Sequence, residues 1–248
     1  MDSGLLSTRG TVLQALIDDV HAPKLLRYVH PIYTLNDREE PTALGSSVLL
    51  RRQRQLYLAT AAHVIEHNKA TPGEEGSSLY VGGLRGELRL LQAEFRTNEE
   101  PADLAVAPLT GDLAEAWDLL PALDVNAQIA TDETSGLHLV LGYPTRRRAF
   151  NLDRATNRVH HEAFKYAQVR HENKADGKHR FSLRMDHAHV RSGDKAQSAP
   201  SPRGVSGGGV FCLSTSEPVL AGILIEYVRG TRLVATKSSR LISFLREE

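Results

Sequence analysis

Several features that mark common protein classes are missing from this sequence. Cysteine occurs once in 248 residues, so no disulfide can form within the chain. Lys plus Arg and Asp plus Glu each number 30, and this balance argues against charge-driven binding to nucleic acids or membrane surfaces. No apolar run reaches the roughly 18 residues of a membrane-spanning helix. The N-terminus lacks the basic start and continuous apolar stretch of a secretory signal. We therefore expect a cytoplasmic protein without nucleic-acid or membrane partners.

The residues that are present predict a globular chain rich in short strands. Hydrophobic residues make up 41% and charged residues 24%, which allows a sizeable core. From a strand predicted at 26–34 onward, short apolar segments alternate with Gly, Pro, Asn and Asp. Helical spacing of apolar residues occurs at 9–20, 111–119 and 237–247. The pattern predicts an all-β fold of paired barrels with short helices and a C-terminal helix. Cys212 lies in an apolar run and is predicted to be a buried thiol.

Three short motifs follow one another along the chain. They are Thr60-Ala61-Ala62-His63, Asp103-Leu104-Ala105-Val106 and Gly204-Val205-Ser206-Gly207-Gly208. A serine hydroxyl is a poor nucleophile until a base removes its proton, and an imidazole titrates near neutrality. A carboxylate that accepts a hydrogen bond from the imidazole fixes its tautomer and stabilises its charged form. The motifs therefore predict Ser206 as nucleophile, His63 as general base and Asp103 as the orienting carboxylate.

The order and spacing of these motifs resemble the trypsin/chymotrypsin-like serine peptidases, with a leaning towards their bacterial and HtrA-like members. The resemblance implies a serine endopeptidase that hydrolyses a protein or peptide substrate through an acyl-enzyme and needs no cofactor. It implies two six-stranded antiparallel β-barrels within one peptidase domain at 1–248. The barrel with the histidine and the aspartate would occupy 21–115, the barrel with the serine 136–236, and a closing helix 237–248.

Glycines flank the serine, and the resemblance gives them a role. It implies that the backbone N–H groups of Gly204 and Ser206 form an oxyanion hole, which stabilises the charge that develops on the substrate carbonyl. The family usually has proline after Ser-Gly-Gly, whereas this chain has Gly209. In secreted members an aspartate before the serine pairs with a new N-terminus during zymogen activation. Val205 occupies that position, so this activation route is not expected.

The same resemblance indicates where a substrate would lie. In the family, the substrate backbone pairs with a strand about twenty residues after the serine, which Ile225, Glu226 and Tyr227 match. We expect Tyr227 to narrow the specificity pocket. Trypsin has an aspartate six residues before the serine, and here that position is Pro200. Trypsin specificity therefore does not follow, and Asp194 and Glu226 are the alternative sources of a negative charge.

Two other catalytic patterns overlap these residues. The serine motif also fits the nucleophile elbow of α/β-hydrolases, but those enzymes place the acid and the histidine after the serine, and no Asp or His follows Ser206. His63, Glu66 and His67 fit the H-x-x-E-H pattern of zinc peptidases, in which the two histidines share a metal. The segment follows a strand and leaves room for only a brief helix, and no third ligand is evident. We expect no metal site.

One stretch has an unusual composition. Residues 191–203 are polar and rich in Ser, Pro and Gly, which predicts a mobile loop that leads directly into the serine motif. We expect an activating partner protein or the substrate to order this loop, so that the peptidase is latent at rest. A bacterial stress or antiphage module is a setting that fits such control. The alternative function is a non-catalytic peptide-binding module on the same fold, favoured by this loop and by Gly209.

Overall fold

The structure is a computed structural model. It describes residues 17–66, 78–98, 101–130, 135–146, 150–156, 158–170, 177–185, 191–192, 195–196, 202–213, 217–228 and 231–246. Within these ranges the strands are β1 (Val29–Leu35), β2 (Pro41–Arg52), β3 (Gln55–Thr60), β4 (Tyr80–Gly82), β5 (Leu88–Leu90), β6 (Arg96–Asn98), β7 (Leu104–Pro108), β8 (Leu123–Asp124), β9 (Gly136–Gly142), β10 (Phe150–Asp153), β11 (Arg158–His161), β12 (Phe164–Arg170), β13 (Arg180–Arg184), β14 (Arg191–Ser192), β15 (Lys195–Ala196), β16 (Gly209–Cys212), β17 (Val219–Val228) and β18 (Arg232–Lys237). The α-helices are α1 (Ala22–Leu26), α2 (Ala62–Glu66), α3 (Gly111–Trp117) and α4 (Ser238–Arg246). The predicted all-β class with short helices is confirmed.

Two curled antiparallel sheets dominate the structure. The first has the strand order β5-β4-β1-β2-β3-β7-β6, and β8 pairs in parallel with β2 outside this path. The second has the order β12-β9-β16-β17-β18-β13. Two separate hairpins, β10-β11 and β14-β15, complete the described strands. The histidine motif therefore follows β3 and the aspartate motif leads into β7 of the first sheet, and β16 of the second sheet begins directly after the serine motif.

A shared apolar core joins the two sheets. Val48 and Leu50 of the first sheet belong to the same buried cluster as Leu141 and Ile223 of the second. The cluster also includes Leu241 and Leu245, which face inward from α4. Burying one such side chain stabilises a fold by about 2 kcal/mol. The predicted C-terminal helix at 237–247 is confirmed, and it closes the core where the two sheets meet.

The first described α-helix, α1, begins at Ala22. The helix predicted at 9–20 falls mostly outside the described residues, and what is described is a π-helical turn at Ile17–His21 that leads into α1. Pro23 stands in the first turn of α1, where its missing N–H removes no intrahelical hydrogen bond. Because α1 occupies these positions, β1 begins at Val29 rather than at Leu26.

The parts predicted at 21–115, 136–236 and 237–248 stay predictions. The strands of the first sheet lie between residues 29 and 124, and those of the second between 136 and 237. Among the described helices, each is too short to cross a bilayer.

Candidate active site

Strand pairing brings the first two motifs together. β3 and β7 are antiparallel neighbours, and Thr60 at the end of β3 pairs with Ala105 near the start of β7. The chain then enters α2, so His63 follows β3 directly, while Asp103 lies just before β7. Asp103 has a φ of 49°, in the left-handed region that residues other than glycine rarely adopt. Its backbone carbonyl accepts a hydrogen bond of 3.2 Å from the N–H of Ala62.

The carboxylate of Asp103 holds His63 at two points. One oxygen, Oδ1, accepts a hydrogen bond of 3.0 Å from the backbone N–H of His63. The other, Oδ2, lies 2.8 Å from Nδ1 of the His63 ring. Since the carboxylate only accepts, Nδ1 carries the proton, and Nε2 of the neutral ring is left as the basic nitrogen. The His63 side chain is 40% exposed, so the ring is accessible from the surface.

Charge around His63 favours its protonated form. The pKa of His63 is raised, first by the hydrogen bond to Asp103, and burial opposes this effect. The carboxylates of Glu66 and Glu226 raise the same pKa further. An imidazolium at this position is therefore stabilised, which is what a base requires after it has accepted a proton.

The serine lies on a turn whose shape depends on glycine. Gly204 and Gly207, on either side of Ser206, have φ values of 79° and 85°. A Cβ atom at Gly207 would collide with the carbonyl of Ser46 and the hydroxyl of Thr60. The carbonyl of Ser206 accepts a hydrogen bond of 2.8 Å from the N–H of Ser46. The first sheet thus packs directly against the serine turn, and only glycine fits there.

The hydroxyl of Ser206 donates to the carbonyl of Ile225, at 3.3 Å. Among the described residues, no hydrogen bond joins Ser206 to His63. Such bonds are often long or misaligned in a free enzyme and tighten when substrate binds. Both side chains line one cavity of about 660 Å³, together with Asp103. The structure therefore brings the three predicted residues to the same cavity.

The two predicted oxyanion donors have open N–H groups. Within the part of the chain that the structure describes, neither Gly204 nor Ser206 donates its backbone N–H to a protein acceptor. The intervening Val205 N–H is different, because it donates to the carbonyl of Pro202 at 3.2 Å. Backbone N–H groups that lack a partner beside a nucleophile are the arrangement that an oxyanion hole requires.

The predicted substrate-binding residues divide into two groups. Ile225, Glu226 and Tyr227 line the cavity with the serine. Pro200 and Asp194 lie outside the described residues. Two cationic residues of the cavity were missed by sequence reasoning, and they are Arg180 and Arg203. The position of Arg203 beside Gly204 in the sequence was a usable signal, whereas Arg180 reaches the cavity only through the pairing of β13 with β18.

The zinc-peptidase pattern at His63, Glu66 and His67 is only partly covered by the described residues. Glu66 ends α2 and lines the cavity, but His67 lies outside the described residues. The described ranges contain no group of three or more His, Cys, Asp or Glu side chains arranged to hold a metal.

No protein-family model and no curated protein sequence matches the chain. A thermostable serine protease, AL20, from an extremophilic microorganism aligns with a TM-score of 0.52 at 11% identity, over 87% of this chain and 94% of that one. The active form of the Rv3671c protease from M. tuberculosis aligns with a TM-score of 0.52 at 16% identity, over 94% and 85%. The fold is that of the trypsin/chymotrypsin-like serine peptidases. At these identities the likeness establishes the fold, and the chemistry depends on the site itself.

Within this chymotrypsin-like fold, the glycine found in place of the usual proline has a packing role. Gly209 begins β16, and the ring of Phe211 lies over it. A Cβ atom at Gly209 would come within 2.5 Å of Phe211 Cε2. Phe211 is fully buried in the core shared by the two sheets. The glycine therefore makes room for a large core side chain immediately after the serine turn.

Proposed function

We propose that this protein is a serine endopeptidase with Ser206 as nucleophile, His63 as general base and Asp103 as the orienting carboxylate. The observation that carries the proposal is the attachment of His63 to Asp103 at 3.0 and 2.8 Å, in the cavity that Ser206 also lines. A histidine that is held by Asp103 at its backbone N–H and at ring Nδ1 presents Nε2 in a fixed direction, which is the property that a base for serine needs.

The reaction proceeds in two stages. Nε2 of His63 takes the hydroxyl proton of Ser206 while Oγ bonds to the carbonyl carbon of the substrate, and the N–H groups of Gly204 and Ser206 receive the oxyanion. His63 then passes the proton to the leaving amine, the C–N bond breaks, and an acyl ester remains on Ser206. In the second stage, water gives a proton to His63 and attacks the ester, and the serine regains its hydrogen as the acid product departs. No cofactor enters either stage.

The proposed substrate is a protein or peptide in extended conformation. Ile225, Glu226 and Tyr227 belong to β17 and line the cavity, which supports pairing of the substrate backbone with this strand. The charges of the cavity are mixed, because Glu226 faces the same space as Arg180 and Arg203. A panel of peptides with Lys, Glu or Phe at the cleaved position tests whether the specificity is that of trypsin. Cleavage after Lys alone would support it, and cleavage after Phe or Glu would contradict it.

Control of activity by a partner stays a prediction. Of the segment 191–203, the structure describes only the backbone of β14 and β15 and the residues Pro202 and Arg203. The expected latency, the stress or antiphage setting, the cytoplasmic location and the lack of nucleic-acid and membrane partners belong to the proposal.

The second candidate is a non-catalytic peptide-binding module. It is favoured by the hydrogen bond of the Ser206 hydroxyl to Ile225, since a serine held in this way does not bond to His63. A bound peptide would then pair with β17 and remain intact.

Covalent labelling with a fluorophosphonate probe separates the two candidates. The wild type, Ser206→Ala and the matched control Ser243→Ala are labelled in buffer and in cell lysate, with and without a chelator, and read by intact mass. Ser243 lies exposed on α4, so its loss leaves the site untouched. We expect one adduct on the wild type and on S243A, none on S206A, and no effect of the chelator. No adduct on the wild type under either condition would overturn the peptidase proposal and favour the binding module.

A further inference from the structure

The β10–β11 hairpin carries a histidine that links two distant parts of the fold. His161 ends β11, and its ring packs against Tyr143, Phe150 and Tyr33 at centroid distances of 5.0, 5.3 and 5.7 Å. Tyr33 belongs to β1 of the first sheet, whereas Tyr143 follows β9 of the second. Neither the triad nor the expected substrate strand uses this ring.

The hydrogen bonds of His161 determine its tautomer. Nε2 lies 2.8 Å from the carbonyl of Pro144, which only accepts, so Nε2 carries the proton. Nδ1 is therefore an acceptor, and it receives the hydroxyl hydrogen of Tyr33 at 2.7 Å. Burial lowers the pKa of His161 and raises the pKa of Tyr33. Both groups are thus neutral near pH 7, as these two hydrogen bonds require.

Two peptide units continue the chain of hydrogen bonds. The carbonyl of Pro144 and the N–H of Thr145 belong to one trans peptide unit and point in opposite directions. The N–H of Thr145 donates to the carbonyl of Arg203 at 3.2 Å. That carbonyl in turn shares its peptide unit with the N–H of Gly204, the predicted oxyanion donor. Because Thr145 holds the carbonyl end of this unit, the Gly204 N–H is directed away from Thr145.

Packing keeps the same segment in place. A Cβ atom at Gly204 would collide with the side chain of Thr145, and one at Gly142 would collide with Val205. On the other side, the N–H of Tyr143 donates to the hydroxyl oxygen of Ser46 at 2.8 Å. Residues 142–145 therefore lie between the first sheet, the hairpin and the serine turn.

We propose that His161 is a positioning residue that orients the oxyanion donor at Gly204 through Pro144, Thr145 and Arg203. The inference rests on the proposed function, because an oriented donor matters only if Ser206 attacks a carbonyl. Every group in this series of hydrogen bonds donates in the same direction, from the Tyr33 hydroxyl to the Gly204 N–H. Hydrogen bonds in such a series strengthen one another. The donor is thus both held in place and polarised from a point outside the catalytic cavity.

Three variants test the proposal. His161→Phe keeps a ring of similar size but loses both hydrogen bonds, whereas His161→Gln keeps an N–H that reaches the Pro144 carbonyl. The matched control is His160→Gln, because His160 is the exposed neighbour on the same strand. With a chromogenic ester, we expect H161F to lower kcat by about tenfold to a hundredfold with KM changed less than threefold. We expect H161Q to recover most of kcat, and H160Q to equal the wild type.

A second measurement keeps the proposal testable if the wild type proves inactive. Amide hydrogen exchange is followed by mass spectrometry in peptides that cover 143–146 and 202–208, with thermal melting as the check on folding. We expect faster exchange in both peptides for H161F, and wild-type exchange for H160Q. If the wild type is inactive but the variants show this exchange pattern, the proposed function is contradicted. The pattern would still support the role of His161 in positioning the segment that contains Gly204. Unchanged exchange, or an H161F kcat within twofold of the wild type, would overturn the positioning role.

Discussion

The backbone N–H of Ser46 donates a hydrogen bond of 2.8 Å to the carbonyl of Ser206. Ser46 lies on β2 of the first sheet and is fully buried. Its carbonyl accepts the hydroxyl hydrogen of Thr60 at 2.6 Å, at the end of the strand that leads to His63. A single residue of the first sheet thus contacts both the serine turn and the strand before the histidine. The relative position of His63 and Ser206 depends on this contact.

The first prediction concerns the glycine that permits this contact. Gly207→Ala places a methyl group against the Ser46 carbonyl and forces alanine to a φ of 85°. We expect the free energy of unfolding to fall by about 3 kcal/mol, measured by urea denaturation. Gly177→Ala is the matched control, because Gly177 is exposed with no atom within 4 Å of the added group, and we expect a change below about 0.5 kcal/mol. Equal stability of the two variants would show that the turn tolerates a side chain.

The second prediction concerns the pH dependence of activity. Only neutral His63 can accept a proton, and Asp103 raises its pKa above the ordinary 6.5. Activity should therefore be low in acid and rise with pH through a midpoint above 6.5, measured as kcat/KM. Asp103→Asn removes the largest cause of the shift, so the midpoint should move down while kcat falls by about 10⁴-fold. Asp118→Asn, an exposed carboxylate paired with Arg51, should leave both unchanged. A D103N midpoint equal to that of the wild type would contradict this assignment.

The three motifs could be recognised in the sequence because the proposed chemistry restricts residue types. A base, a carboxylate and a serine between glycines are recognisable locally, and Gly204 and Gly207 do occupy left-handed positions. Their assembly depends on strand pairing that the sequence does not display. The pairing of Thr60 with Ala105, for example, joins residues 45 positions apart.

The hydrogen-bond chain through His161 was out of reach for the same reason. Tyr33 and His161 are 128 positions apart, and neither lies in a recognisable motif. A histidine at the end of a short polar strand gives no local sign that its two nitrogens meet a tyrosine and a carbonyl. The predicted start of the first strand at residue 26 was wrong by three residues, because Pro23 is compatible with either a helix start or a break and α1 extends to Leu26.

The third prediction concerns a buried histidine and stability. His30 is buried against Trp117, with ring centroids 4.6 Å apart, and its Nδ1 bonds to the carbonyl of Gly82 at 3.0 Å. Among the described residues, its Nε2 has no hydrogen-bond partner. Burial lowers the pKa of His30 to about 4. Below the ordinary pKa of 6.5, His30 binds a proton in the unfolded chain but not in the folded chain. The free energy of unfolding therefore decreases as the pH is lowered from 6.5 to about 4.

Urea denaturation between pH 7 and pH 4 measures this contribution. The shift corresponds to a loss of about 3 kcal/mol across that window. His30→Phe cannot titrate, so its stability should depend less steeply on pH than that of the wild type, whatever its stability at pH 7. His160→Gln removes an exposed histidine and should keep the wild-type slope. Parallel slopes for wild type and H30F would mean that His30 has the same pKa in the folded and unfolded states, which would contradict the effect of burial.

The fourth prediction uses the single cysteine as a reporter of opening. Cys212 is fully buried at the end of β16, opposite His138 and Val219, as its apolar surroundings in the sequence predicted. A thiol reagent can reach it only when the sheet opens, so labelling should be at least about a thousandfold slower in the native protein than in urea.

The labelling rate also distinguishes global from local opening. If Cys212 becomes accessible only on global unfolding, and refolding is fast compared with labelling, the rate is proportional to the population of unfolded chains. The loss of about 3 kcal/mol expected for Gly207→Ala should then accelerate labelling by about a hundredfold. Because β16 follows the serine turn directly, a variant that destabilises the turn should also make the Cys212 thiol accessible more often. Fast labelling of the native wild type would contradict the burial of Cys212, and an unchanged rate in G207A would show that β16 opens independently of the turn.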